Sequence, residues 1–149
     1  KKKVKLTFAE SCTGGLLSSL ITSFPNSSKI FSCGYVTYSN LSKEKMLGVS
    51  KKTLKKYGAV SRQVAREMAS SAAIKANADI GIGITGIAGP GGATKNKKVG
   101  DVYVALVHFK NKKFVQALDD GFLGLKGSRE HIRLSSVDCA LDCLLTVLE

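Results

Sequence analysis

Apolar and polar positions alternate along "VKLTFAE" (4–10). Past two glycines, the apolar positions recur at helical spacing as Leu16, Leu17, Leu20 and Ile21. A period of two predicts a strand and a spacing of three to four a helix, so the chain opens as strand, sharp corner, then helix over 13–24. "PNSSK" (25–29) carries turn residues. "CGYVTYSN" (33–40), rich in β-formers, predicts a second strand. Two short helices follow over 41–50 and 51–58, the first starting after Asn40. Ser61 suits the N-cap of a helix over 62–76, whose Val64, Ala65, Met68, Ala69 and Ala72 form a stripe of mostly small residues.

That stripe has a counterpart in "ADIGIGITG" (78–86), where Ile80, Ile82 and Ile84 face one side and Gly81 and Gly83 the other. Glycine weakens a strand unless something must approach its backbone closely, and the alanine-faced helix is the expected visitor. "GDVYVALVHF" is apolar on both faces, Val102, Val104 and Leu106 against Tyr103, Ala105 and Val107, so helices should cover both sides of the sheet. "KFVQALDDGF" (113–122) returns across "KNKK" as a hairpin partner, and a long helix capped by Ser128 closes the chain. The expected fold class is α/β: a three-layer α/β/α sandwich around a mixed, mainly parallel sheet of about five strands. With no linker or repeat dividing it, 1–149 is expected to be one domain.

Composition narrows the function classes. No apolar run approaches the ~20 residues that span a bilayer. "KKKVKLTF" gives way at once to "AESCTGG", without the apolar core of a secretory signal, so a cytoplasmic protein with no membrane partner is expected. Cys12, Cys33, Cys139 and Cys143 include no CxxC pair and no completed ligand set, which favours reduced thiols over a metal site. The net charge of +12 raises nucleic acid as a partner. However, all but four of the 23 basic residues are lysine, spread from Lys1 to Lys126 without a dense block. That pattern fits a general attraction for anions better than base or phosphate recognition.

Candidate chemistry falls on strand ends, where open α/β folds place their sites. "ESCTGG" puts a serine, a cysteine and a threonine on a strand-to-helix turn, where a nucleophile is exposed and the following amides can stabilise an oxyanion. The same residues are also ordinary capping residues. "VTYSNLSK" places Tyr38 at a strand end and Lys43 in the first turn of a helix, where a lysine opposes the helix dipole; a solvated surface lysine is the plainer reading. "GITGIAGPGG" lacks the P-loop signature, so it is either a phosphate-accommodating or a merely flexible loop. Arg129 and Arg133, one turn apart at the start of the last helix, could receive an anion or pair with Glu130 or Asp119. His108 lies on an apolar strand and His131 beside the arginines, so no Ser-His-Asp set is visible.

Taken in order, "AESCTGG", "GYVTYSN..K...LGV", "GAVS", "GITGIAGPGG" and "GSREHIR" resemble the CinA C-terminal family, the nicotinamide mononucleotide deamidases, over essentially the whole chain. The resemblance implies hydrolysis of the carboxamide of nicotinamide mononucleotide to nicotinate mononucleotide and ammonia, with no metal or other cofactor. It implies Ser11 as nucleophile, Lys43 as general base and Tyr38 assisting by hydrogen bonding. Thr85 and Gly86 would line the nicotinamide pocket. Gly89, Gly91, Arg129 and Arg133 would receive the ribose phosphate, and Glu10, Thr13 and Gly14 belong to the substrate-binding corner. A dimer or larger homo-oligomer is also implied.

The chain departs from the family pattern in three places. It begins almost at the first strand, where stand-alone members carry a helix. The usual "KPVG" reads "KKVG" at 97–100, and "GFLGLKGSR" is longer than the usual approach to Arg129. Cys12 is the rival nucleophile. A non-catalytic module that binds a nucleotide or phosphometabolite and regulates a partner domain is the alternative function. An ordinary lysine is only about 0.04% neutral at pH 7. A lysine base therefore needs partial burial, and the adjacent Lys45 and the helix end are expected to help.

Overall fold

The computed structural model describes residues 4–149, with the side chains of residues 120–122 left aside, so the expected Lys1–Lys3 start lies outside the described residues. Five strands, β1 (Leu6–Glu10), β2 (Phe31–Val36), β3 (Ile80–Gly86), β4 (Asp101–Lys110) and β5 (Lys113–Gly124), form one sheet in the order β2-β1-β3-β4-β5. β1 is parallel to β2 and to β3, while β4 is antiparallel to both β3 and β5. The sheet is mixed, as expected, with the hairpin β4–β5 at one side.

The α-helices among the described residues are α1 (Leu16–Thr22), α2 (Asn40–Ser42), α3 (Lys51–Tyr57), α4 (Arg62–Ala76) and α5 (Arg129–Leu148), of which α1, α4 and α5 pack on the sheet. β2 ends at Val36, earlier than the β-rich pattern predicts, because the chain from Thr37 must leave the sheet to reach the Ser39 cap of α2. The short helix expected over 41–50 divides into α2 and a widened π turn, Lys43–Leu47. Ser61 and Ser128 cap α4 and α5 by accepting from the N–H groups of Val64 and His131.

Two cores follow from the alternation of the strands. Leu6, Phe8, Ile80, Ile82, Ile84, Val102, Val104 and Leu106 pack under α1 and α5 against Leu17, Ile132, Val137 and Ala140. On the other face, α4 lies on Ala9, Ala105 and Val107 through Val64, Ala65, Met68, Ala69 and Ala72. The glycine reading of β3 is literal. A Cβ on Gly81 would run into the Ala69 carbonyl oxygen and one on Gly83 into that of Ala65, so the α4 backbone sits directly on the strand. This close approach leaves no room for a side chain and fixes the height of α4 over the sheet.

The connections place the site. The chain leaves β1 to one side, through α1, to form β2, and later returns on the other side as β3. Such a reversal opens a crevice at the carboxyl ends of the diverging strands, here the ends of β1 and β3. Ser11 follows β1, and the glycine loop follows β3.

Candidate active site

The corner after β1 is built around a buried carboxylate. Glu10 Oε2 accepts from Thr13 Oγ1 at 2.7 Å and from the backbone N–H groups of Gly15 and Leu17 at 3.1 and 3.0 Å. Its Oε1 accepts from the N–H and the hydroxyl of Ser18 at 2.8 and 2.7 Å. These donors are largely the orphan groups of the first turn of α1, where a carboxylate also meets the positive end of the helix. Gly14 and Gly15 complete the bend with φ of +60° and +96°. From α5, Arg133 donates to the Thr13 carbonyl at 2.9 Å. The Ser11 N–H donates to Ile84 O at 3.0 Å, carrying the β1–β3 pairing up to this residue.

Glu10, Thr13 and Gly14, expected in the substrate-binding corner, are placed in the turn itself. Glu10 and Thr13 are fully buried, their polar groups are bonded to each other and to the turn, and none of the three lines the cavity beside Ser11. Arg133, expected at the phosphate, holds the Thr13 carbonyl and does not line this cavity.

Lys43 arrives from the opposite side. Ser39 and Ser42 cap each other reciprocally, and the π turn starting at Lys43 sends its side chain inward to 1% exposure. Its Nζ lies 3.0 Å from Ser11 Oγ, 2.9 Å from Thr37 O and 3.5 Å from Tyr38 O. Burial pushes the Lys43 pKa below its ordinary value, opposed only in part by the neighbouring Cys12. Lys45, expected to contribute, is exposed, and burial is the cause that lowers the value.

Cys12 stands one residue along with its side chain packed into the core under α1 and α5. Burial pushes its thiol up to about 11, although its own backbone N–H, Lys43 and Arg133 pull the other way. A thiol in that state is protonated at neutral pH and a poor nucleophile.

A cavity of about 270 Å³ opens beside Ser11, lined also by Cys12, Lys43, Tyr38, Asn40, Ala59, Val60, Thr85 and, from the following loop, residues 86–89, Gly91 and Gly92. Thr85 donates to Ala59 O at 2.8 Å, which holds the foot of the cavity wall. Gly86 is a glycine because a Cβ there would strike Val102 and the Asp101 carbonyl of β4. Gly89 has φ of +81°, and Gly91 faces open space.

Arg129, first residue of α5, lies at the mouth. It donates to Gly89 O at 2.6 Å and to Tyr38 Oη at 3.0 Å. Tyr38 is 61% exposed, so its hydroxyl braces Arg129 at the rim, while only its carbonyl reaches Lys43. Asp119 pairs with Arg66, not with either late arginine.

The "KKVG" departure has a visible compensation. Lys98, where the proline would stand, donates its N–H to Asp101 Oδ2 at 2.8 Å, a bond proline cannot make. The longer approach to α5 is tied down by Leu125 N–H on Gly100 O at 2.9 Å, and it delivers Arg129 to the cavity.

Sequence reading missed the Thr37 carbonyl and the Ala59–Val60 segment. The first acts through backbone, which side-chain identity does not reveal. The second carried a signal in "GAVS", a run of small residues between two helices. Among the described residues, no group of three or more His, Cys, Asp or Glu is placed to hold a metal. Among the described residues, a larger hollow of about 780 Å³ at the opposite end of the sheet, lined by Lys5, Ile74, Asp79 and Phe109 among others, has no serine, threonine or cysteine in its lining.

The chain is 46% identical, over its whole length, to a Caldanaerobacter subterraneus protein described as a competence-damage inducible protein, and it covers 35% of that protein. It thus spans about a third of the length of such curated relatives. Its structure resembles that of competence/damage inducible protein CihA from Agrobacterium tumefaciens, with a TM-score of 0.91 and 38% identity over 98% of this chain and 86% of that one. A CinA superfamily protein from Escherichia coli gives 0.89 and 37% over 97% and 81%. The family profile of the CinA C-terminal domain matches residues 1–148, and the chain belongs to that family.

Proposed function

We propose that this domain hydrolyses the carboxamide of nicotinamide mononucleotide to nicotinate mononucleotide and ammonia through Ser11 and Lys43. The observation that carries the reading is the 3.0 Å approach of the buried Lys43 amine to Ser11 Oγ. Serine is a weak nucleophile without a base beside it. A neutral amine has two N–H groups and one lone pair. With Thr37 O and Tyr38 O taking the two N–H groups, the lone pair is left for the serine proton. Burial without a contacting carboxylate is the environment that shifts a lysine towards that neutral form.

In the proposed cycle, Ser11 Oγ attacks the carboxamide carbon while Lys43 takes its proton. The N–H groups of Gly14 to Ser18 are already bonded within the corner, so in this cycle the amides directly after Ser11, those of Cys12 and Thr13, would meet the developing oxyanion. Lys43 then returns the proton to the leaving nitrogen, and ammonia departs from a Ser11 ester. Water, deprotonated by Lys43, cleaves the ester to the carboxylate. The pyridinium charge of the substrate makes its carbonyl more electrophilic. Being a cation near Lys43, it also favours the neutral amine. Thr85 and Gly86 would border the ring, and Arg129 at the mouth would meet the phosphate. Self-association into a dimer or larger assembly belongs to the same reading, and light scattering tests it.

The deciding experiment mixes the purified chain with nicotinamide mononucleotide and measures ammonia and nicotinate mononucleotide. Equal release of both is expected, abolished by Ser11→Ala and retained by Cys12→Ala. Tight binding without product would make the domain a nucleotide-binding module. The reverse mutant pattern would move the nucleophile to the thiol.

A further inference from the structure

Part of the cavity wall is the glycine loop between β3 and β4, through Gly89, Gly91 and Gly92, and another part is the joint between α3 and α4, through Ala59 and Val60. One side chain links the two. Lys97 Nζ donates to Tyr57 O at 2.7 Å and also to Val60 O, grasping the joint on both sides of Gly58 and Ala59. We propose that Lys97 is a positioning residue that holds the glycine loop against the α3–α4 joint, so that the cavity is formed before a ligand enters.

Both ends of this link are built to carry load. On the loop side, the Thr94 N–H donates to Lys97 O at 2.7 Å and the Lys97 N–H to Thr94 Oγ1 at 3.1 Å, closing a tight turn at the base of the side chain. The next residue is fixed by the bond from Lys98 N–H to Asp101. On the joint side, Ser61 Oγ donates to Gly58 O at 2.9 Å, and Ala59 O receives the Thr85 hydroxyl. Gly58 has φ of +76°, and a Cβ there would come within 3.1 Å of Lys97 Nζ, so its lack of a side chain keeps the ammonium seated. The Tyr57 carbonyl ends α3, where a cation meets unsatisfied acceptors.

Among the described residues no carboxylate is hydrogen-bonded to or ion-paired with this ammonium, and its partial burial lowers the Lys97 pKa, with Asp101 opposing. A lysine held on carbonyls in this way contributes geometry. Arg129 still holds Gly89 and Asp101 still holds Lys98, but residues 91–96 between them are exposed and Gly92 has positive φ, so without Lys97 this stretch gains freedom. Ordering it on binding would then weaken affinity without touching the chemistry at Ser11.

The substrate named in the test rests on the proposed deamidase reading; the clamp itself does not. Lys97→Met is compared with Lys97→Arg, which can still donate to two carbonyls. Expected for Lys97→Met are a KM for nicotinamide mononucleotide raised about tenfold, with kcat within about twofold, the pattern of lost uniform binding. Amide hydrogen exchange in peptides covering 87–98 should be about tenfold faster, with the rest of the protein unchanged, and Lys97→Arg should restore most of both. Unchanged KM and unchanged loop exchange in Lys97→Met would overturn the proposal, as would a lower melting temperature with no effect confined to the loop. If the native chain does not turn over the nucleotide but the loop exchange accelerates as expected, the deamidase reading fails and the clamp stands.

Discussion

Replacing Lys43 by methionine separates the functional from the structural demands on the buried amine. The side chain keeps its length and apolar stem but loses the group 3.0 Å from Ser11 Oγ. Loss of a general base lowers turnover by about 10²–10⁴-fold. Stability should move the other way. Burial holds the folded pKa of Lys43 below the 10.5 of an ordinary lysine. Between those two values the unfolded chain keeps a proton that the folded chain has released. Native stability therefore rises with pH across that window, at up to about 1.4 kcal/mol per unit, and is flat below it. Below the window the native protein bears the full cost of a buried charge. Lys43→Met removes that cost, so it should be more stable at pH 7 by about 0.5–2 kcal/mol, a common gain when a functional residue is given up. For this size, that is a melting temperature higher by about 2–8 °C. Thermal unfolding of both proteins from pH 6 to 10 should show the gap narrowing as pH rises. Over the same range, kcat/KM of the native protein should climb about tenfold per unit until the lowered pKa is reached. A Lys43→Met protein that is less stable by a constant amount at every pH, or a flat rate profile, would refute the reasoning.

Other perturbations follow from the same contacts. Glu10→Gln puts an amide among five donors and should cost about 2–4 kcal/mol, seen as a lower urea midpoint together with lost turnover, because the turn bearing Ser11 loosens. Gly83→Ala drives a Cβ into the α4 backbone and should destabilise by about 1–3 kcal/mol or more in chemical denaturation. Gly91→Ala, where a Cβ meets nothing within 4 Å, should stay within about 0.5 kcal/mol. Arg129→Ala should raise KM for nicotinamide mononucleotide about 10–100-fold in steady-state assays, with little change in kcat, as expected for a lost charged hydrogen bond to the phosphate.

The layers and the helix positions were legible because steric rules act on single residues. Only close packing against another backbone explains alternating glycines in β3, and serines before apolar helices read directly as caps. Side-chain destinations were harder. Glu10 beside three hydroxyl- or thiol-bearing residues looks like chemistry, yet its neighbours Gly14 and Gly15 bend the chain so that its carboxylate is spent on the helix start. Lys43 sits in a polar stretch that reads as surface, and only the π turn takes it inside. Tyr38 follows a strand that ends two residues earlier than its β-formers predict, which turns its hydroxyl outward to Arg129. Thr37 contributes a carbonyl, to which composition is blind.

The account rests on Ser11 forming a covalent ester while Lys43 shuttles the proton. Rapid acid quenching of the protein with nicotinamide mononucleotide, followed by peptide mass analysis, tests this most directly. The account predicts the nicotinate nucleotide attached to the peptide containing Ser11, on the serine oxygen, and absent from Ser11→Ala. Attachment at Cys12, or undiminished hydrolysis with no covalent species at any time, would contradict it.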